Sequence, residues 1–130
     1  MRLSVYLYIV CLGMAGKASS QCVEKSNLYG KWQGYKKELR TGEDGSSLTL
    51  SGKPYVFTDV LWFKKDKNGE WDMNGDVFTV KYDIACDILV INKKEFYVEK
   101  IDGKNLVLIE YAFNKEKPSD IDFRLYFHKK

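Results

Sequence analysis

The chain has 130 residues, the size of one domain, and 45% of them are hydrophobic and 15% aromatic. This composition supplies enough apolar side chain for one core and excludes global disorder. The formal charge of +3 falls by two, to about +1, when residues 1–20 with Arg2 and Lys17 are set aside. Neither a nucleic-acid interface nor a polybasic membrane arm is therefore expected.

The N-terminal residues have the pattern of an export signal. Arg2 is followed by an apolar stretch, residues 5–16, and by Ala-Ser-Ser at residues 18–20. The apolar stretch has about twelve residues, fewer than the roughly 20 that a membrane-spanning helix needs. We expect a signal peptide over residues 1–20, cleaved before Gln21, and an exported protein that is periplasmic, at the cell surface or extracellular. A retained amphipathic or anchor helix is the alternative.

Two cysteines would remain after such a cleavage, because Cys11 lies within the signal. In an exported protein Cys22 and Cys86 can form one disulfide that ties the N-terminal tail, residues 21–29, to the loop holding Cys86, and two unpaired thiols are the alternative. Cys22 also follows the signal as the acylated cysteine of a bacterial lipoprotein does, although Gln21 stands where that motif has a small residue. An envelope lipoprotein anchored through Cys22 is thus a further alternative, with the domain itself in water.

The rest of the chain, residues 30–130, predicts one domain of short β-strands separated by turns. The eight predicted strands cover residues 30–39, 55–64, 70–73, 77–82, 88–91, 95–101, 105–113 and 121–128. Asn68-Gly69 and Asn74-Gly75 favour type I′ hairpin turns, because both central residues must reach positive φ. Asp102-Gly103 and Pro118 mark two further turns. Strands that are neighbours in sequence are therefore expected to be neighbours in the sheet.

Alternation of apolar and polar residues gives most strands one apolar face, as in the last strand, where Asp122, Arg124 and Tyr126 alternate with phenylalanine and leucine. Residues 88–91 and 106–109 are apolar throughout, which predicts cover on both faces or an exposed apolar outer face. Closing eight antiparallel strands into a barrel hides the two sheet edges. We expect an all-β fold, an eight-stranded antiparallel up-and-down barrel, with a β-sandwich as the alternative.

The longest connection between predicted strands, residues 40–53, is rich in glycine and serine. We expect a solvated surface loop there. A loop at a barrel mouth that controls access is the alternative.

Residues 27–33, Asn-Leu-Tyr-Gly-Lys-Trp-Gln, resemble the G-x-W signature of the lipocalin and wider calycin families, whose motif lies on the first strand, as Gly30 and Trp32 would here. Residues 95–108 and 123–127 are similar to the late hairpin and aromatic-rich closing strand of small lipocalin-like domains of exported bacterial proteins. The resemblance covers residues 27–130. The chain is shorter than typical lipocalins and lacks their second motif, which implies a shallower cavity.

This resemblance implies a lipocalin-like barrel whose closed end is filled by Trp32, beside Gly30, with a basic residue of the last strand against the indole. Arg124 is the matching residue. A guanidinium over an indole ring contributes about 0.5–2 kcal/mol. The three residues would stabilise the barrel and take no part in chemistry.

A barrel of eight strands encloses a space that side chains fill or that holds one small ligand. We therefore predict a non-catalytic, monomeric protein that binds a small apolar or amphipathic ligand in the barrel. Trp62, Phe78, Tyr97 and Tyr111 are the candidate ligand contacts. The alternative is a filled barrel that acts as a protein- or polysaccharide-interaction module in the cell envelope through exposed aromatic residues.

Metal-site patterns are weak in this sequence. Residues 66–72 space oxygen ligands as calcium loops do, but Val77 stands where such a loop has a bidentate glutamate. Asp83 and Asp87 are isolated loop carboxylates. With His128 as its one histidine the chain lacks the ligands of a zinc site and the pattern of Ser-His-Asp catalysis. We expect no metal and no cofactor.

Asp59 and Glu110 are the two arguable candidates for acid–base catalysis, because each lies in a largely apolar predicted strand. A buried, unpaired carboxyl group would have a perturbed pKa and would then mark a site. We expect both to be charges that face outward or toward the barrel mouth, and we expect no enzyme activity.

Overall fold

A computed structural model describes residues 22–41 and 56–130. Numbered in chain order, the strands are β1 (Gly30–Leu39), β2 (Val60–Phe63), β3 (Asn68–Met73), β4 (Asp76–Ala85), β5 (Ile88–Ile91), β6 (Lys94–Ile101), β7 (Asn105–Glu110) and β8 (Phe123–Lys129). A short 3-10 helix, Lys25–Asn27, precedes β1. The predicted signal peptide, residues 1–20, lies outside the described residues, as do residues 42–53 of the predicted loop and residue 55 of the second predicted strand.

Each strand pairs antiparallel with the next one in the chain, and β8 pairs with β1, so that the sheet is a closed barrel. Closure pairs the backbone groups that sheet edges would otherwise expose. The predicted all-β, eight-stranded up-and-down barrel is confirmed, and the β-sandwich alternative is wrong. The architecture is compatible with a lipocalin-like fold.

The barrel has two ends, because consecutive strands alternate in direction. We call one the open end; its described connections are residues 40–41, 56–59, 74–75, 92–93 and 111–122. We call the other the closed end; it holds residues 22–29 and the turns at 64–67, 86–87 and 102–104.

The turns explain where strand boundaries differ from the prediction. Asn74-Gly75 is a hairpin turn, as predicted, with φ of 58° and 101°. Asn68 and Gly69 instead begin β3, and the turn lies before them, with Lys67 at φ 66°. A Cβ on Gly69 would lie 2.3 Å from the carbonyl oxygen of Trp62. The predicted turn at Asn68-Gly69 is therefore wrong, and this glycine serves the close approach of two strands.

The closed half of the barrel is filled with side chains. Leu28, in the segment before β1, is fully buried under the barrel and accepts a hydrogen bond at 2.8 Å from the indole Nε1 of Trp32 to its carbonyl oxygen. Other fully buried side chains of this half are Leu61, Phe63, Leu89, Leu106 and Phe127. Trp32 is 0% exposed, so it lies in the core at the closed end.

A disulfide fastens the N-terminal segment to the closed end. Cys22 is bonded to Cys86 in the β4–β5 turn. Beside it, the backbone N–H of Val23 donates to the carbonyl oxygen of Cys86 at 3.0 Å. Because a lipoprotein carries a thioether on the same sulfur atom, a Cys22 lipid anchor and this disulfide exclude each other.

The basic residue against the Trp32 ring is Lys129 rather than Arg124. Lys129 is opposite Trp32 in the β1–β8 register, and its Nζ lies 4.5 Å from the ring centre. Arg124 is opposite Glu38, and its guanidinium contacts Glu38 and Glu99. Residues 124 and 129 are an odd number apart, so they face opposite sides of β8. The expectation that Arg124 lies against the indole is therefore corrected.

Arg124 instead covers the outer face of β7. It donates to Glu38 at 3.2 Å, and the Tyr126 hydroxyl donates to the same carboxylate at 2.7 Å. Val107 lies opposite Tyr126 and Ile109 opposite Arg124, and these two β7 residues are only 8% and 1% exposed. The continuously apolar segment 106–109 is thus covered on both faces.

Asp122 organises the long connection between β7 and β8. It is fully buried, and its carboxylate accepts hydrogen bonds from the backbone N–H groups of Ala112 at 2.8 Å and Ser119 at 3.0 Å. The same carboxylate binds the Arg40 guanidinium at 3.0 Å. Alternation in the sequence predicts that Asp122 faces outward with Arg124 and Tyr126. This expectation is wrong, because Asp122 precedes β8 and its side chain is buried.

Candidate functional site

The described residues line two cavities at the open end of the barrel. The larger cavity, of about 420 Å³, is lined by Lys37, Glu110, Leu39, Lys94, Ala112, Ile121 and Phe123. The smaller cavity, of about 260 Å³, is lined by the same Lys37 and Glu110 and by residues that include Phe57, Asp59, Trp71, Met73, Asn74 and Leu125. The shared residues make these two cavities adjoining parts of one site.

Strand alternation directs Lys94 and Glu110 into this site. Lys94 precedes the fully buried Phe96 by two residues, and Glu110 follows the fully buried Leu108 by two. Residues two apart on a strand share a face. Glu110 is opposite Phe96 in the register, and its Oε2 lies 3.6 Å from Nζ of Lys94. Glu110 is therefore a charge at the barrel mouth.

A β-bulge directs Lys37 to the same site. Tyr35 is the extra residue of β1, so the alternation that buries Trp32 shifts by one position after it. Lys37 lies opposite the buried Leu125, and its Nζ is 4.3 Å from the centre of the Phe123 ring. Simple alternation from Trp32 would place Lys37 outside.

Asp59 lies half-buried in the wall of the smaller cavity. Its Oδ2 accepts a hydrogen bond from the indole Nε1 of Trp71 at 2.8 Å. Burial raises the pKa of Asp59 above its ordinary value of 3.8, outweighing the Trp71 hydrogen bond and the more distant charge of Lys37. Burial therefore has a larger effect on this carboxyl group than its favourable contacts have.

Phe57 separates the smaller cavity from the filled half of the barrel. It is 3% exposed, and its ring centre lies 5.4 Å from that of Phe127. A Cβ on Gly34 would lie 2.4 Å from the Phe57 ring, so a glycine is required at that position. The Gly34 N–H donates to the carbonyl oxygen of Asp59 at 2.7 Å and thereby fixes the backbone beside the cavity.

Trp62 and Tyr97 lie on the outer face of the barrel. Each is partly exposed and stands between buried neighbours, Trp62 within Leu61–Phe63 and Tyr97 within Phe96–Val98. The ammonium group of Lys31 lies 4.6 Å from the centre of the Trp62 ring. Alternation therefore directs these two candidate ligand contacts away from the interior, which corrects their expected position.

Phe78 and Tyr111 occupy two other positions. Phe78 is opposite the buried Trp71 and hence on the inner face, but it is 50% exposed at the open end. Tyr111 directly follows the inward Glu110 and is 8% exposed, and burial raises the pKa of its hydroxyl. None of the four predicted contacts is among the described residues that line the two cavities.

Exposed apolar side chains surround the open end. Seven large hydrophobic residues are exposed among those described, and all but Tyr35 belong to the open end. The six are Val56, Met73, Val77, Phe78, Phe113 and Ile121. We call them the apolar rim. Such clustering at one end is typical of a ligand entrance or a contact surface.

Asp83, one of the carboxylates considered for metal binding, has other partners. Asp83, at the closed end, forms ion pairs with Lys25 at 3.3 Å and Lys67 at 3.2 Å. Within residues 22–41 and 56–130, no group of three or more His, Cys, Asp or Glu side chains is arranged to hold a metal ion. Over the same ranges, no helix has the length and hydropathy needed to cross a bilayer.

Sequence reasoning identifies half of the charged site residues. Asp59 and Glu110 stand out as charges in apolar segments. Lys94 could have been found from its alternation with Phe96, whereas Lys37 could not, because nothing in the sequence reveals the bulge at Tyr35.

Comparison of the chain with protein-family models, with curated proteins and with solved structures gives no match. The proposal for the open end therefore rests on the geometry of its two cavities and their lining residues.

Proposed function

We propose that this protein is an exported, lipocalin-like binding protein without catalytic activity, and that its open end holds one small amphipathic molecule. The observation that carries the proposal is the division of the interior into a filled closed half and an open half with cavities of about 420 and 260 Å³. Ligand pockets commonly span about 300–1,000 Å³. The two adjoining cavities together provide that space.

The lining favours an amphipathic ligand over a purely apolar one. Leu39, Ile121 and Phe123 offer an apolar wall in the larger cavity, while Lys37 and Glu110 bring charge to the wall that both cavities share. A few polar groups in an otherwise apolar pocket orient a ligand. The apolar rim at the same end would let such a molecule enter without crossing a polar surface.

A cavity-filling variant tests the proposal. In Ala112→Trp the new indole would occupy the larger cavity, while the N–H of residue 112 can still bind Asp122. We expect the wild-type protein to bind the neutral fluorescent probe N-phenyl-1-naphthylamine and the variant to bind it at least about tenfold more weakly. The matched control is Ala85→Trp, the same change at an exposed position near the closed end.

Unchanged probe affinity in Ala112→Trp, with the control also unchanged, would contradict the assigned site. Failure of the wild-type protein to bind the probe would instead favour the alternative, an interaction module that uses the apolar rim to contact protein or polysaccharide.

The proposed export rests on residues 1–20 and has its own test. The intact mass of the protein isolated from its native cell should correspond to a chain that begins at Gln21. A mass that retains these residues, or that includes acyl chains on Cys22, would contradict this part of the proposal.

A further inference from the structure

The charges of the open end specify the ligand more closely, if the proposed function holds. We propose that the polar group of the ligand is a cationic amine, held by Asp59 beside Trp71 in the smaller cavity, with its apolar part in the larger cavity. The ligand class is then an amphipathic organic ammonium ion.

Asp59 provides the first step, because its carboxylate forms no ion pair with the described residues and the charge of Lys37 acts on it only from a distance. Among the described residues, its one side-chain hydrogen bond comes from the neutral indole of Trp71, at 2.8 Å, and no lysine or arginine forms an ion pair with it. A half-buried carboxylate in this setting is stabilised by any cation that reaches it. A ligand ammonium group would supply that cation.

The lysines at the site argue against an anionic ligand. Nζ of Lys94 already lies 3.6 Å from the Glu110 carboxylate, and Nζ of Lys37 lies 4.3 Å from the centre of the Phe123 ring. Both ammonium groups therefore have favourable neighbours in the unliganded protein. An incoming carboxylate would have to compete with Glu110 for Lys94 and would lie close to a like charge.

The uncharged lining of the smaller cavity suits an ammonium group. Trp71 and Phe57 present aromatic rings, and an aromatic face attracts a cation by about 0.5–2 kcal/mol. Asn74 also lines this cavity, and its Oδ1 accepts a hydrogen bond from the Thr58 hydroxyl at 2.9 Å. Carboxylate, amide oxygen and aromatic ring together form the usual surroundings of a bound organic cation.

The larger cavity then receives the apolar part of the ligand. It adjoins the smaller cavity through Lys37 and Glu110, and its remaining lining is Leu39, Lys94, Ala112, Ile121 and Phe123. Ile121 of the apolar rim is one of these lining residues. A molecule with an amine at one end and a short hydrocarbon chain at the other matches this arrangement.

Three probes of equal chain length test the charge of the ligand: octylammonium, octanol and octanoate, with affinities measured by titration calorimetry of the purified protein at neutral pH. We expect octylammonium to bind about tenfold more tightly than octanol, and octanoate more weakly than both. In Asp59→Asn the preference for octylammonium over octanol should fall to about twofold or less. Asp120→Asn, a change at an exposed carboxylate of the same end, is the matched control and should keep the preference.

The outcomes separate this inference from the proposed function. Octanol binding without a preference for octylammonium, or an unchanged preference in Asp59→Asn, would overturn the amine assignment and leave the binding function standing. Tightest binding by octanoate would assign an anionic ligand instead. Failure of all three probes to bind would count against both. A cooperative thermal unfolding transition of Asp59→Asn shows that the variant is folded.

Discussion

The ammonium group of Lys129 lies 4.5 Å from the centre of the Trp32 ring at the closed end of the barrel. It also donates to the carbonyl oxygen of Tyr29, in the segment that covers this end. A cation over an indole contributes about 0.5–2 kcal/mol, so we expect Lys129→Met to lower the free energy of unfolding by about that amount. Urea unfolding measures the loss.

Lys130→Met is the control for that experiment, since it removes the neighbouring lysine and leaves the backbone hydrogen bond from residue 130 to Lys31 in place. Equal effects of the two substitutions would show that the Lys129 contact with Trp32 adds nothing.

The disulfide between Cys22 and Cys86 should contribute strongly to stability, because it spans 64 residues of sequence. In the chain-entropy model, closing a loop of this length raises the free energy of the unfolded state by about 4 kcal/mol, because the unfolded chain has fewer conformations. We expect the double variant Cys22→Ser, Cys86→Ser to unfold at lower urea concentration by a corresponding amount. Alkylation of the unfolded, unreduced wild-type protein should leave both cysteines unmodified, and their modification would contradict the bridge.

Asp59 should destabilise the unliganded protein at neutral pH. Burial raises the pKa of Asp59 in the folded protein above the ordinary 3.8. The stability that the protonated carboxyl group contributes to the fold is therefore complete below pH 3.8, and it is lost as the pH rises through the raised pKa. Asp59→Asn, which keeps an acceptor for the Trp71 indole, should therefore raise Tm by a few degrees at neutral pH and have little effect in acid.

Thermal unfolding over a pH series measures this difference, with Asp120→Asn as an exposed control. A lower Tm of Asp59→Asn at neutral pH would mean that the carboxylate stabilises the fold and that its charge is compensated.

Glu38 should behave in the opposite way. Burial alone would raise its pKa, but hydrogen bonds from Tyr126 and Arg124 outweigh burial and hold the pKa below the ordinary 4.5. Its stabilising contribution is then present above 4.5 and is lost as the pH falls through the lowered value. We expect Glu38→Gln to cost about 1–3 kcal/mol at neutral pH.

The cost of Glu38→Gln should shrink in acid, which urea unfolding at neutral and acidic pH would show. Glu116→Gln serves as the comparison, because that side chain is 70% exposed. A cost that does not depend on pH would mean that Glu38 acts through packing alone.

Much of the fold follows from the sequence because a period of two determines which side chains share a face. Eight segments with that period and Gly-containing turns such as Asn74-Gly75 are enough to predict a meander. Closure into a barrel is then favoured because it removes the two exposed edges of the sheet. The Gly30 and Trp32 motif lies on β1, where the resemblance implies.

The candidate site was harder to predict, because it depends on features that a linear pattern does not record. The bulge at Tyr35 turns Lys37 inward. Position 69 of β3 needs a glycine because the carbonyl oxygen of Trp62 leaves no room for a side chain. Strand alternation is enough to predict that Trp62 faces outward, because its neighbour Leu61 faces the core. Hydropathy favours large aromatic residues as ligand contacts, although here many of them cover the outer wall.

The arrangement of the closed end also determines where the protein can be attached to a surface or labelled. Cys22 and Lys130, the first and last described residues, both lie at that end. A biotin or solid support coupled near either residue would hold every copy with its mouth toward the solution. Surface-based binding measurements could then use one uniform orientation, and a fluorescent label placed there would report tumbling without blocking the cavities.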